Sequence, residues 1–336
     1  MIKESLAKLA RREDLSEGEM IGATKAIMEG QASPVQIGSF LTALRLKGET
    51  VDEITGAARV MREKSLKVNF KAPRVVDTCG TGGDGSHTFN VSTTAAFIVA
   101  AAGIPVAKHG NRAMSSRCGS ADVLEALGIK VDLPPERVEY CLKETGIGFL
   151  FAPVFHQAMK HAAGPRRELG FRTVFNLLGP LTNPAGANCQ LVGVFDPGLT
   201  NTMAKVLGRL GVERAVVVHG GGGLDELSLE GVNKASILRN GRIIELEFKA
   251  ADLGLTQAPK EALKGEGPAE NARTTENILK GTEQGPKRDV VLLNAAAALM
   301  AADLVSDLQE GVFLAQKLIV EGKAYAKLEQ LRKTAG

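Results

Sequence analysis

The sequence predicts an α/β protein: a small all-helical unit at the amino end, then a larger α/β unit whose mainly parallel central sheet is covered by helices. Three observations carry that expectation. Helix-start signals recur before residue 70 with no β-rich run between them, strand-like and helical runs alternate from residue 74 onward, and one strand empties into a long glycine-rich loop. The units are placed at 1–70 and 71–336.

In the first unit Ser16 and Glu19 form a capping box, and Gly30 stops the helix they start. Ser33-Pro34 gives a cap followed by proline at the first helical position, and Gly48 closes that helix. Thr50 and Glu53 repeat the capping box and launch a third helix toward Lys67. From residue 74 the pattern changes. Val75–Thr78 is a short strand, a glycine-rich loop follows, and an alanine-rich helix runs over Thr93–Ala102. Ile104–Ala107 is a second strand and Ser120–Leu127 a helix capped by Ser120. Further strands are expected at Phe149–Phe151, Cys189–Val194 and Ala215–Val218. Asn240-Gly241 between two strand-like runs signals a hairpin with a primed turn. Segment 256–286, rich in Gly, Pro, Thr and Glu, reads as an excursion or mobile loop, and three helices end the chain.

Composition narrows the function classes. The 336 residues carry a formal net charge of only +3, no Trp and two Tyr, which offers neither an electrostatic footprint nor stacking platforms for nucleic acid. Cys79, Cys118, Cys141 and Cys189 are widely spaced and form no CxxC pair, so a reducing compartment is expected. No apolar run is long enough for a membrane span, and the amino terminus does not read as a signal peptide. The expected location is the cytoplasm.

The chemistry concentrates at strand ends. Cys79–Thr93 holds Gly80, Gly82, Gly83 and Gly85, a pattern that turns backbone N–H groups toward an anion, and the helix after it adds a positive dipole end. A dinucleotide-binding reading loses. The helix opens late, at Ser92-Thr93, and the next strand ends in Lys108-His109-Gly110-Asn111-Arg112 rather than in an acid. Gly119-Ser120 opens a further helix and makes a second candidate anion site, so a ligand phosphorylated at two positions fits both. Taken alone, Ser120 is equally well a plain helix cap. The strand ending at Val218 runs into a glycine run and then Asp225-Glu226, adjacent carboxylates suited to magnesium when phosphate supplies the remaining oxygens.

Four stretches in order, 77–93, 108–128, 166–185 and 219–226, make the chain similar to the anthranilate phosphoribosyltransferase family, the tryptophan-pathway branch of the nucleoside-phosphorylase-like phosphoribosyltransferases. The resemblance covers nearly the whole chain. It implies a helical unit joined to an α/β unit, with helices around 165–183 packing back onto the former. It implies magnesium-dependent transfer of the phosphoribosyl group of 5-phosphoribosyl 1-pyrophosphate to the amine of anthranilate, by a homodimer. Binding of the phosphorylated sugar would fall to Gly80, Gly83, Asp84, Thr88, Asn90, Val91, Ser92, Thr93, Lys108, His109, Gly110, Asn111, Arg112, Ala113, Met114, Ser115, Ser116 and Ser120. Lys108 and Asn90 would stabilise charge, with no strong general base needed. Ser92, Asp225 and Glu226 would hold two magnesium ions, and Gly80, Asn111 and Arg166 would meet anthranilate, with Arg167 the competing neighbour. Gln157 and Pro165 depart from the family's usual residues beside the acceptor site. A pyrimidine nucleoside phosphorylase and a non-catalytic nucleic-acid-binding relative of the same fold are the rival readings.

Overall fold

A computed structural model describes residues 2–113 and 117–336. The amino-terminal helices are α1 (Ile2–Ala10), α2 (Glu17–Met28), α3 (Pro34–Lys47) and α4 (Val51–Lys64). Ser16, Ser33 and Thr50 each cap α2, α3 and α4 reciprocally with Glu19, Gln36 and Glu53. The fourth helix ends at Lys64 rather than Lys67, because Ser65 turns extended and Leu66 N–H donates to the carbonyl of Phe155.

A seven-stranded sheet organises the remainder: β1 (Val76–Gly80), β2 (Val106–Gly110), β3 (Ile147–Phe151), β4 (Cys189–Gly193), β5 (Arg214–His219), β6 (Asn233–Arg239) and β7 (Arg242–Phe248). Their spatial order is β3-β2-β1-β4-β5-β6-β7, the first five parallel and the last two antiparallel. Asn240 and Gly241 both have positive φ, 52° and 72°, as a primed two-residue turn requires. The intervening helices are α5 (Val91–Ala101), α6 (Ser120–Ala126), α7 (Pro135–Thr145), α8 (Ala152–Phe155), α9 (Lys160–Leu169), α10 (Val174–Leu178) and α11 (Leu199–Arg209). The last four are α12 (Pro268–Leu279), α13 (Pro286–Ala301), α14 (Leu308–Val320) and α15 (Lys323–Ala335).

Two apolar clusters hold the chain. One lies where α5, α13 and α15 meet the sheet; the other joins α1–α4 to α10, α11 and the facing residues of β4 and β5. Helix α9 packs on α2 and α3, and α10 on α3 and α4. Segment 256–286 is not the mobile loop its composition suggested. Gly267 and Pro268 start α12, whose Asn271, Thr275, Ile278 and Leu279 are buried against the α/β unit.

Strand order reverses between β1 and β4: the chain steps from β1 to β2 and β3 on one side, and from β4 to β5 on the other. A crevice at the carboxyl ends of strands at such a switch point is where open α/β sheets bind ligands. Gly80 and Gly193, paired at those two ends, mark its floor.

Candidate active site

A cleft of about 380 Å³ opens at that switch point, bounded by the loops after β1, β2 and β5 and by α9 and α10. Its size suits a small phosphorylated ligand. Along the β1–α5 loop it is lined by Gly80, Gly83, Asp84, Thr88, Asn90, Ser92 and Thr93. From the β2–α6 loop come Lys108, His109, Gly110, Asn111, Arg112, Ala113 and Ser120. Asp225, Glu226 and Arg166 complete the set anticipated from sequence. Val91 does not join them: its side chain is in the core and its N–H donates to Phe89 O at 2.8 Å. Met114, Ser115 and Ser116 lie outside the described residues.

The β5 loop brings its carboxylates to the glycine loop. Gly82 N–H donates to Asp225 Oδ2 at 2.6 Å, Asp225 N–H to Asp84 Oδ2 at 3.3 Å, and Ser92 N–H to Glu226 Oε1 at 3.3 Å. Gly193 makes this approach possible, since a Cβ there would stand 1.5 Å from the Asp225 carbonyl oxygen. Burial, then repulsion from Asp84 and Glu226, lifts the Asp225 carboxyl well above the usual range. Burial also pushes Glu226 up to about 7, against the pull of Lys108. Asp225 and Glu226, buried side by side, resist ionising together, and with Asp84 close by they call for a cation. Among the described residues no three His, Cys, Asp or Glu side chains form a ready-made cage for a metal ion. This oxygen donor set therefore fits magnesium that draws its other ligands from substrate and water.

Lys108 is buried at 4 % exposure, donating to the carbonyl of Thr78 and lying 3.4 Å from Ser92 Oγ. Burial lowers its pKa, opposed by the charges of Asp77 and Glu226. The sequence reading missed Asp77, whose carboxylate accepts from His109 N–H at 3.0 Å and from Asn183 Nδ2 at 2.8 Å. Asn183 also donates to Ala107 O at 2.7 Å, so this pair ties β1 to β2 directly behind the lysine. An acid inside the apolar run Val75–Thr78 was the available signal.

Several anticipated residues have structural partners. Arg112 forms ion pairs with Asp122 at 3.2 Å and Glu125 at 2.5 Å. Ser120 is not the cap of α6: Gly119 occupies that position, and Ser120 Oγ instead accepts from Asn111 N–H at 3.1 Å. Asn90 donates to Cys118 O and accepts from Asn271 Nδ2 at 3.0 Å, so α12 braces the start of α5.

On the acceptor side, Arg166 is half-buried in the cleft wall, its guanidinium 5.2 Å from the Phe175 ring centroid, while Arg167 is exposed and outside the cleft lining. Burial lowers the pKa of Arg166, and no carboxylate pairs with it among the described residues. Phe175, Asn176, Gly179 and Pro180 share this wall and were not singled out from sequence. His109 Nδ1 lies 3.1 Å from Gly179 O, and its ring packs on His156 with centroids 5.0 Å apart. Burial, followed by His156, depresses His109 to about 3, and burial depresses His156 to about 4. Both rings are neutral at physiological pH.

Fold and cleft together define a transferase of activated sugars: residues 3–65 match the helical bundle domain, and residues 72–325 the a/b domain, of the glycosyl transferase family. The chain is 59% identical to the anthranilate phosphoribosyltransferase of Moorella thermoacetica over 98% of its own length and 97% of the relative's. The Thermus thermophilus anthranilate phosphoribosyltransferase structure superposes with a TM-score of 0.93 at 47% identity, covering 98% of this chain and 99% of that one. The Saccharomyces cerevisiae enzyme, solved in complex with PRPP and Mg, gives a TM-score of 0.91 at 29% identity over 99% and 97% of the two chains. The chain belongs to the anthranilate phosphoribosyltransferase family.

Proposed function

We propose that this chain transfers the phosphoribosyl group of 5-phosphoribosyl 1-pyrophosphate to the amine of anthranilate, releasing pyrophosphate, as a step of tryptophan biosynthesis. The observation that carries the reading is the joining of two chemistries in one cleft. Glycine-loop amides and crowded carboxylates face Lys108 at one end, and a half-buried guanidinium with no carboxylate partner among the described residues stands at the other.

The amine nitrogen forms a bond to the ribose anomeric carbon as the bond to the pyrophosphate oxygen breaks, and the leaving group takes that electron pair. An arylamine is uncharged at neutral pH, so no strong base is needed to start the attack; the proton of the new ammonium passes to water. The barrier is charge separation, which fixed donors and alignment lower most. The glycine-loop N–H groups and the dipole of α5 receive the pyrophosphate, Lys108 lies where charge develops, and Ser92, Asp225 and Glu226 would hold magnesium. When bound, two ions would neutralise the diphosphate and stabilise its departure. Arg166 pairs its fork with the carboxylate of the acceptor and, with Asn111 and Phe175, orients the ring. Neutral His109 and His156 shape that wall without exchanging protons.

A homodimer formed through the helical unit and a cytoplasmic location complete the proposal; no helix among the described residues is long and apolar enough to cross a membrane. The test combines purified protein, anthranilate, the pyrophosphorylated sugar and magnesium, and follows loss of anthranilate fluorescence. Phosphorolysis of thymidine in its absence would support the nucleoside-phosphorylase rival. Salt-sensitive DNA binding without turnover would support the nucleic-acid-binding one.

A further inference from the structure

Arg172 belongs to the short connection between α9 and α10. Gly170 closes the first helix, and at the start of the second the Thr173 N–H donates to Asn176 Oδ1 at 3.0 Å, so the backbone around Arg172 is fixed on both sides. Its half-buried side chain leaves the helices and crosses to the glycine loop. The guanidinium carbon stands 4.1 Å from the Phe195 ring centroid. Arg172 Nε and Nη2 lie 3.1 and 3.5 Å from where a Cβ on Gly83 would be, so a side chain at that position would crowd the guanidinium.

No hydrogen-bond or carboxylate partner meets this guanidinium among the described residues. Of the cations in the cleft, Arg112 is paired with Asp122 and Glu125 and Lys108 donates to the Thr78 carbonyl, while Arg166, like Arg172, stands over an aromatic ring, but on the acceptor wall. The loop it touches is otherwise held by few contacts. Gly82 and Asp84 bond to the Asp225 segment, and Thr81 is fixed by its N–H to Gly193 O at 2.9 Å and by its Oγ1 accepting from Phe195 N–H at 3.2 Å. Phe195 therefore touches the loop through its backbone and Arg172 through its ring. The pair forms a brace against the loop.

We propose that Arg172 is a positioning residue for the donor. Clamped between Phe195 and Gly83, its guanidinium holds residues 80–85 in their diphosphate-receiving shape and places an uncommitted positive charge behind them. This rests on the transfer reaction proposed above. Arg172 does not line the cleft, so it acts through Gly83 and Asp84 rather than by touching the sugar. Because α9 and α10 also carry Arg166 and Phe175, the brace links the acceptor wall to the donor loop.

Arg172→Gln and Arg172→Lys test this in steady-state assays that vary each substrate separately, with calorimetric titration of inorganic pyrophosphate and magnesium into protein lacking the acceptor. Arg172→Gln is expected to raise the donor KM and the pyrophosphate Kd about tenfold. The acceptor KM and Tm should stay near wild type, and Arg172→Lys should recover part of the loss by keeping the charge without the planar stack. An unchanged donor KM and pyrophosphate Kd in Arg172→Gln overturns the proposal. So does a parallel loss of Tm and of affinity for both substrates, which a merely structural brace would give. Wild-type protein that takes up pyrophosphate yet transfers nothing defeats the reaction alone; the ratio of calorimetric constants still decides the role of Arg172.

Discussion

Replacing Arg166 with alanine separates acceptor recognition from everything else in the cleft. The guanidinium is half-buried, its pKa is lowered by burial, and no carboxylate among the described residues pairs with it. A charge held this way gains most when a ligand carboxylate arrives. A hydrogen bond to a charged group is worth about 1.5–3 kcal/mol, so Arg166→Ala should raise the anthranilate KM roughly 10- to 150-fold. Stability should hardly move. Loss of the contact with Phe175, about 0.5–1 kcal/mol, is offset by removing a cation that was costly to desolvate. Arg166→Lys keeps the charge but not the bidentate fork and should recover only part of the loss. Arg167→Ala, exposed and outside the cleft, is the control. Initial rates at saturating donor, with thermal melting alongside, provide the measurement. An acceptor KM for Arg166→Ala within about twofold of wild type would refute the reasoning, since that is only ~0.4 kcal/mol.

Two more outcomes follow from packing and burial. Gly193→Ala places a methyl 1.5 Å from the Asp225 carbonyl, so the carboxylate turn must shift; a stability loss of about 1–3 kcal/mol and a higher magnesium requirement are expected by melting and by rate titration. Burial depresses His156 from 6.5 to about 4, so the unfolded chain takes up a proton that the folded chain refuses. The stability this contributes is present above about pH 6.5 and drains away as pH falls toward 4, by about 1.4 kcal/mol per unit. His156→Gln lacks that slope, so its stability deficit relative to wild type should shrink between pH 6.5 and 5; a constant deficit would contradict the assignment.

Local signals in the sequence were legible where they are self-contained. Ser16, Ser33 and Thr50 announce their helices because cap and partner lie three residues apart, and Asn240-Gly241 announces the hairpin because both residues tolerate positive φ. Strand ends were less clear. Gly80 and Gly110 look like loop residues, yet each still pairs across the sheet, with Gly193 and Phe151. Helix α12 was hidden by its composition, although Gly267-Pro268 followed by Asn271, Thr275 and Ile278 carried a usable start signal and spacing. The convergence of Asp84 with Asp225, 141 residues later, depends on tertiary approach at Gly193, which no window of sequence contains. The same holds for Asp77 and Asn183 behind Lys108.

The second apolar cluster runs without a break from Phe40, Ile54 and Met61 through Leu207 and Met203 into Val192 and Val217. Arg62 reinforces that seam by donating to the carbonyls of Leu181 and Leu210 at 2.6 and 2.8 Å. A cut between residues 65 and 72 would thus sever one chain at a point where the interior has no corresponding division. The larger fragment would surface with a greasy flank over α11, and the smaller would lose the lid of its own core. Swapping the amino-terminal helices for those of a relative is then an interface redesign centred on Met203, Val206 and Leu207, rather than an exchange of modules.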